Sequence, residues 1–178
     1  TFPLNMYENS VKVPFVMSHP GRIAEGKVSS AMASQYDFMP TLLDYLGLDP
    51  VVDDLSPGRS FHPVLSGETG EAKDEVVVFD EYGPVRMIRT QEWKYVHRYP
   101  YGPHELYHLL NDPDERKNLV DEKSKTALIG EMRQQLSNWF DRYVIPQLDG
   151  SHFAVTGGGQ GRKIDIDQCG ERSFFERG

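Results

Sequence analysis

Cysteine is almost missing from this chain: Cys169 stands alone, which excludes an internal disulfide framework. Positive charge is also scarce. The net charge is −8, from 27 acidic and 19 basic residues. A nucleic-acid partner would call for a basic stripe along one face, so the charge argues against that class of partner and none is expected. The closest approach to a stripe, Arg86, Arg89, Lys94 and Arg98, alternates with apolar residues and reads as the solvated face of strands. No apolar run approaches the ~18 residues of a membrane span, so no membrane partner is expected. The opening residues Thr1-Phe2-Pro3-Leu4 carry neither an initiator Met nor a basic-then-apolar signal, and the chain reads as a fragment or a processed product. There is no internal repeat and no G-x-S-x-G nucleophile elbow.

What is present is ordinary globular material. At 178 residues, 38% hydrophobic and 26% charged, the chain can build one core plus a small second domain. Residues 11–18, Val-Lys-Val-Pro-Phe-Val-Met-Ser, are β-branched and apolar and end at His19-Pro20-Gly21, which predicts a strand closed by a turn. Ser34 and Asp37 offer cap chemistry, Leu42, Leu43 and Leu46 an apolar stripe, and Gly47 a C-cap, which predicts a helix over 37–46. A shorter helical piece is expected near Ser60–Gly67, and the polar stretch Gly67–Asp74 reads as a linker.

Beyond the linker the period changes. Glu75–Tyr82, Val85–Gln91, Glu92–Tyr99 and Glu105–Leu110 are short Val-, Ile-, Tyr- and Trp-rich segments separated by turn residues, the pattern of an antiparallel meander. From Asp121 to Val144 the spacing of Leu128, Ile129, Met132, Leu136, Phe140, Tyr143 and Val144 is helical, and such a helix would cover one face of the sheet. Pro146 stops it, and the last thirty or so residues, with Gly157-Gly158-Gly159-Gln160-Gly161, are expected to be irregular.

Three motifs carry chemistry on their face. His104-Glu105-Leu106-Tyr107-His108 spells H-E-x-x-H, the zinc pattern that needs both histidines on one helical face. Pro103 before it and Asn111-Asp112-Pro113 after it leave little room for a helix. In a strand, residues four apart lie ~13 Å from one another, too far to share a metal. Asp165-Ile166-Asp167-Gln168-Cys169-Gly170, with Glu176, falls close to a calcium loop, but a thiol stands where a carboxylate or amide is needed. The Gly157–Gly161 run lacks the Lys-Ser/Thr and the following helix of a phosphate loop. His19, His62, His97 and His152 are scattered and read as structural.

Read in order, several segments resemble the sulfatase family of the alkaline-phosphatase-like superfamily. Tyr7-Glu8-Asn9-Ser10-Val11-Lys12-Val13-Pro14 is similar to its Y-E-x-x-x-[RK]-V-P segment, and His19-Pro20-Gly21 to the P-G that follows. Asp37-Phe38-Met39-Pro40-Thr41-Leu42-Leu43-Asp44-Tyr45-Leu46-Gly47-Leu48 resembles D-x-x-P-T-L-L-D-x-x-G-L, and Gly58-Arg59-Ser60-Phe61 with Leu65-Ser66-Gly67 resembles G-x-S-[LF]…L-x-G. Arg86–Thr90 with Trp93-Lys94-Tyr95 resembles the R-x-[IV]-R-T…[YW]-K-Y hairpin. Glu105–Leu109, Asp112–Glu115 and Asn118-Leu119 resemble E-L-Y-D-L-x-x-D-P-x-E…N-L, with His108 where the family has Asp.

The resemblance implies an α/β and α+β architecture. Residues 1–70 would be the C-terminal segment of the main alkaline-phosphatase-like α/β sheet domain. Residues 74–146 would be a small four-stranded antiparallel subdomain covered by a C-terminal helix, and residues 147–178 a glycine-rich tail. It also implies a parent enzyme that hydrolyses a small-molecule or carbohydrate sulfate ester with a formylglycine, made from Cys or Ser in C-x-P-x-R, and calcium or another divalent cation. Cys169-Gly170-Glu171-Arg172-Ser173 is not that motif, and the family's metal-ligand segments and catalytic lysine would precede this chain. No catalytic residue and no metal ligand is therefore assigned here. Asn5, just after the usual place of that lysine, is the candidate substrate-binding residue, and the chain alone is expected to be inactive and to need the rest of its polypeptide. Phosphonate or phosphate monoester hydrolysis, a non-enzymatic assembly or binding domain, and a zinc hydrolase using His104 and His108 are the alternatives.

Overall fold

The computed structural model describes residues 5–49, 55–67, 73–80, 84–99 and 101–152. The chain divides into two compact units: a helical unit, Lys12–Val76, and a sheet unit made from the flanks, Thr1–Val11 and Val77–Gly178. Among the described residues no helix is long and apolar enough to cross a membrane.

In the sheet unit, β1 (Glu75–Phe79), β2 (Val85–Thr90), β3 (Trp93–Arg98) and β4 (Glu105–His108) lie side by side in chain order. The β2–β3 register pairs Met87 with Val96 and Ile88 with Tyr95, and the β3–β4 register pairs Tyr95 with Leu106. At the β2–β3 turn, Thr90 Oγ accepts the Trp93 N–H at 3.0 Å, which holds the corner at the predicted turn residues. The turn after β4 is built by Asp112, whose carboxylate accepts the N–H groups of Arg116 and Lys117. Asn118 then closes against β4, accepting the Leu106 N–H and donating to the His104 carbonyl.

A period-2 strand has two faces, and both are used here. On one face Val77, Ile88, Tyr95 and Leu106 pack against Met132, Leu136 and Phe140 of the long helix Thr126–Tyr143. That helix carries the stripe expected from the sequence, although its first turn forms as a 3-10 segment, Lys123–Lys125. On the other face Val85, Met87 and Val96 pack against Met6. Met6 belongs to the N-terminal segment that continues into α1 (Glu8–Val11), a one-turn helix that the sequence did not announce.

The helical unit holds α2 (Phe38–Leu46) and α3 (His62–Leu65); with α1 first in chain order, the helix Thr126–Tyr143 is α4. Gly47 ends α2 at φ 68°, the left-handed geometry expected of a C-cap glycine. Asp37 does more than cap. Its side chain accepts the Ser34 N–H at 2.7 Å and the Arg59 N–H at 2.8 Å, and Lys73 Nζ lies 2.6 Å away. Thr41 Oγ donates to the Asp37 carbonyl and accepts the Phe61 N–H. Asp37 and Thr41 are both buried, so the D-x-x-P-T letters tie α2 to the segment 58–61.

Two expectations are corrected. The strand over 11–18 is not formed: Val11 ends α1, and residues 12–19 have no regular structure. A strand needs a ladder neighbour, and none lies beside it among the described residues; Val13, Phe15 and Val16 stay 60%, 55% and 89% exposed. The basic side chains of the strands are not a solvated face either. Arg86 and Lys94 are buried, and Arg89 and Arg98 are half-buried. Each is neutralised by a carboxylate, Arg86 by Asp149, Arg89 by Glu8, Lys94 by Glu8 and Glu115, and Arg98 by Glu105.

Candidate functional site

A cluster of charges surrounds Lys94, whose side chain is fully buried on β3. Its ammonium donates to the Met6 carbonyl at 2.8 Å and lies 2.7 Å from Glu8 Oε1 and 2.6 Å from Glu115 Oε1. Glu115 Oε2 accepts the Glu8 N–H at 2.6 Å, and Arg89 Nε reaches Glu8 Oε1 at 3.1 Å. Two cations and two carboxylates thus enclose the backbone of residues 6–8. Burial alone would raise the Glu8 carboxyl, but hydrogen bonds and charge from Lys94 and Arg89 outweigh it and hold Glu8 below the usual glutamate range. Glu8, Lys94 and Glu115 belong to three different sequence motifs, Y-E, W-K-Y and D-P-x-E. Nothing in the D-P-x-E letters announces that Glu115 is buried. Its backbone sits at φ 53°, a left-handed conformation unusual for glutamate.

Asn5 immediately precedes this enclosed segment and is exposed. Its neighbours Phe2, Pro3 and Leu4 lie outside the described residues. Tyr7 stacks obliquely on Tyr107, with ring centroids 6.1 Å apart, and Tyr107 donates to Glu105.

The two histidines of H-E-x-x-H do not converge. His104 stacks on His97 at 4.2 Å, and its Nδ1 accepts the Arg98 N–H. His108, on β4, pairs with Glu92 at 3.0 Å and packs edge-on against Trp93. His104 lies just before β4 and His108 at its end, each with its own partners. His97 is also bonded through Nδ1 to the Tyr95 hydroxyl at 2.8 Å. Burial first, then the charges of His104, Arg133 and Arg86, push the His97 imidazole down to about 4. Burial, Arg133 and Arg98 lower His104 as well, and burial raises Tyr95 to about 12. His97, His104 and Tyr95 thus form one packed aromatic cluster.

One spelling escaped the sequence reading. Ser18-His19-Pro20-Gly21-Arg22 fits S-x-P-x-R, the serine form of the formylglycine motif. The structure places Ser18 exposed at the start of a turn, where Arg22 N–H and Ile23 N–H bond back to the His19 carbonyl. Among the described residues no group of three or more His, Cys, Asp or Glu side chains could hold a metal ion. The described residues therefore do not fit the cation that the sequence resemblance implies. The calcium-loop-like Asp165–Gly170, Cys169 and the Gly157–Gly161 run lie outside the described residues.

The family model described as N-sulphoglucosamine sulphohydrolase, C-terminal, matches residues 4–142. Among curated proteins, a Δ4,5-hexuronate-2-O-sulfatase of Bacteroides thetaiotaomicron is 31% identical over 148 residues, covering 78% of this chain and 30% of that protein. Among solved structures, one in complex with its substrate D-glucosamine-2-N,6-O-disulfate matches at TM-score 0.60 and 28% identity, over 70% of this chain and 27% of the other. The phosphonate monoester hydrolase of Agrobacterium radiobacter matches at TM-score 0.50 and 26% identity, over 61% and 25%. The chain thus spans about 30% of the length of the first of these curated relatives.

Proposed function

The chain belongs to the sulfatase family, where it matches the C-terminal domain, and from that premise we propose that it is the C-terminal portion of a sulfuric ester hydrolase acting on a sulfated carbohydrate. The observation that carries this reading is the family match over residues 4–142, which runs through both units. The carbohydrate class is supported by the relatives named for hexuronate and glucosamine sulfates. In the same reading, residues 1–70 complete the main α/β domain, residues 74–146 form the smaller subdomain, and residues 147–178 are a tail. Formylglycine and calcium act in the longer protein, and no residue described here is proposed to carry either. Asn5 stands at the rim of the sulfate-ester site, presenting an amide that can donate to a sulfate or hydroxyl oxygen.

The test is sulfate release by the longer protein from sulfated uronate and glucosamine saccharides, with an aryl phosphonate monoester run in parallel. Sulfate release with little phosphonate cleavage supports the proposal. The phosphonate monoester hydrolase likeness motivates the second reading, and the opposite preference would favour it.

A further inference from the structure

The enclosure around Lys94 is more than a buried ion pair. A one-turn helix such as α1 is too short to hold itself in water, yet residues 6–8 are fixed from two sides of the sheet unit. Lys94 grips the Met6 carbonyl, while Glu115 grips the Glu8 N–H. Burying these charges costs desolvation, and apolar side chains of the same volume would serve stability as well or better. The best-attested use of such a polar cluster is to fix register, and the left-handed Glu115 shows backbone strain accepted to complete it.

We propose that Lys94 and Glu115 are positioning residues that lock the register of the Met6–Glu8 backbone, and through it the placement of Asn5. This rests on the reading of Asn5 as a rim residue of a sulfate-ester site. Neither Lys94 nor Glu115 touches substrate; they act through the peptide groups of Met6 and Glu8.

The experiment uses the intact sulfatase that carries this chain. It compares wild type with Lys94→Met/Glu115→Gln, which removes one charge of each sign, and with the milder Glu8→Gln. Hydrogen exchange and steady-state kinetics on a sulfated saccharide are measured together. The expected result is exchange at the amides of residues 6–11 faster by at least about tenfold, with Ile88, Tyr95, Val96 and Leu106 still protected. In the same variants kcat falls about 10- to 100-fold while KM moves far less, with partial recovery in Lys94→Arg. Unchanged exchange at residues 6–11, or protection lost throughout the sheet, would overturn the proposal. Faster local exchange with unaltered kcat would overturn it too, leaving a lock without a catalytic consequence. If the wild-type protein releases no sulfate, the functional reading fails, and the placement of Asn5 by the lock fails with it. The exchange data then report separately whether residues 6–8 are locked.

Discussion

Gly58 lies so close to its neighbours that a Cβ there would fall 2.1 Å from the Tyr36 carbonyl oxygen. Backbone cannot yield as a side-chain tip can, so Gly58→Ala should destabilise the helical unit by about 1–3 kcal/mol. Thermal or urea melts would show this, and a change below about 0.5 kcal/mol would mean the Gly58 segment shifts freely. The histidine stack makes a pH prediction at the same scale. His97 titrates near 4 when folded and near 6.5 when unfolded. Between those values the unfolded chain binds more protons, so stability is full above about pH 6.5 and falls on acidification toward pH 4. The slope is about 1.4 kcal/mol per pH unit for one proton, and His104 adds in the same direction. Glu8, held below its ordinary range, contributes stability that is present at neutral pH and lost at still lower pH. Replacing His97 by Gln should flatten the upper part of that profile. An unchanged slope between pH 6 and 4.5 would show that the loss comes from elsewhere.

At the level of elements, α4 and the sheet hold each other. Leu136 is 2% exposed within the cluster of Ile88, Tyr95, Leu106 and Phe140. Leu136→Ala should cost about 2–5 kcal/mol by lost burial and a residual cavity. Two positions back on the same helix, Gln134 is exposed and makes an i,i+4 bond to Asn138 at 2.8 Å. Gln134→Ala should cost no more than about 0.5 kcal/mol. Equal effects in denaturant unfolding would contradict the assignment of the covering face. The 3-10 start of α4 has a local cause: the Thr126 hydroxyl and the Thr126 N–H both bond to the Lys123 carbonyl, a tighter closure than the α pattern.

At the scale of the molecule, the helical unit leaves apolar side chains in solvent: Val13, Phe15, Val16, Met39 and Leu46 are each more than half exposed. Monomeric proteins seldom leave large contiguous apolar patches uncovered. The chain of residues 1–178 by itself should therefore bind a hydrophobic dye or self-associate, and Val16→Ser with Met39→Ser should reduce both. Light scattering alongside dye fluorescence checks this, and a monodisperse, dye-silent chain would contradict it.

Much of this protein was readable from local pattern. The four strands, their order and their turns follow from alternation bounded by Gly, Pro, Asn and Asp, because a hairpin's register depends on neighbours in sequence. The helices follow from stripe and cap: Gly47 stops α2, and Leu136 and Phe140 face inward on α4 as their spacing required. Other features depended on partners remote in the chain. Charge at Arg86 and Lys94 looked like a solvated face because the carboxylates that neutralise it, Asp149, Glu8 and Glu115, come from far along the chain. Residues 11–18 have strand composition but no ladder to join among the described residues, and composition cannot supply a hydrogen-bonding neighbour. The sequence by itself determined the four strands, the helices α2 to α4 and the family, because these reside in short-range order. Only the tertiary structure decided which charges are buried, since burial is a property of what folds against a residue and not of the residue itself.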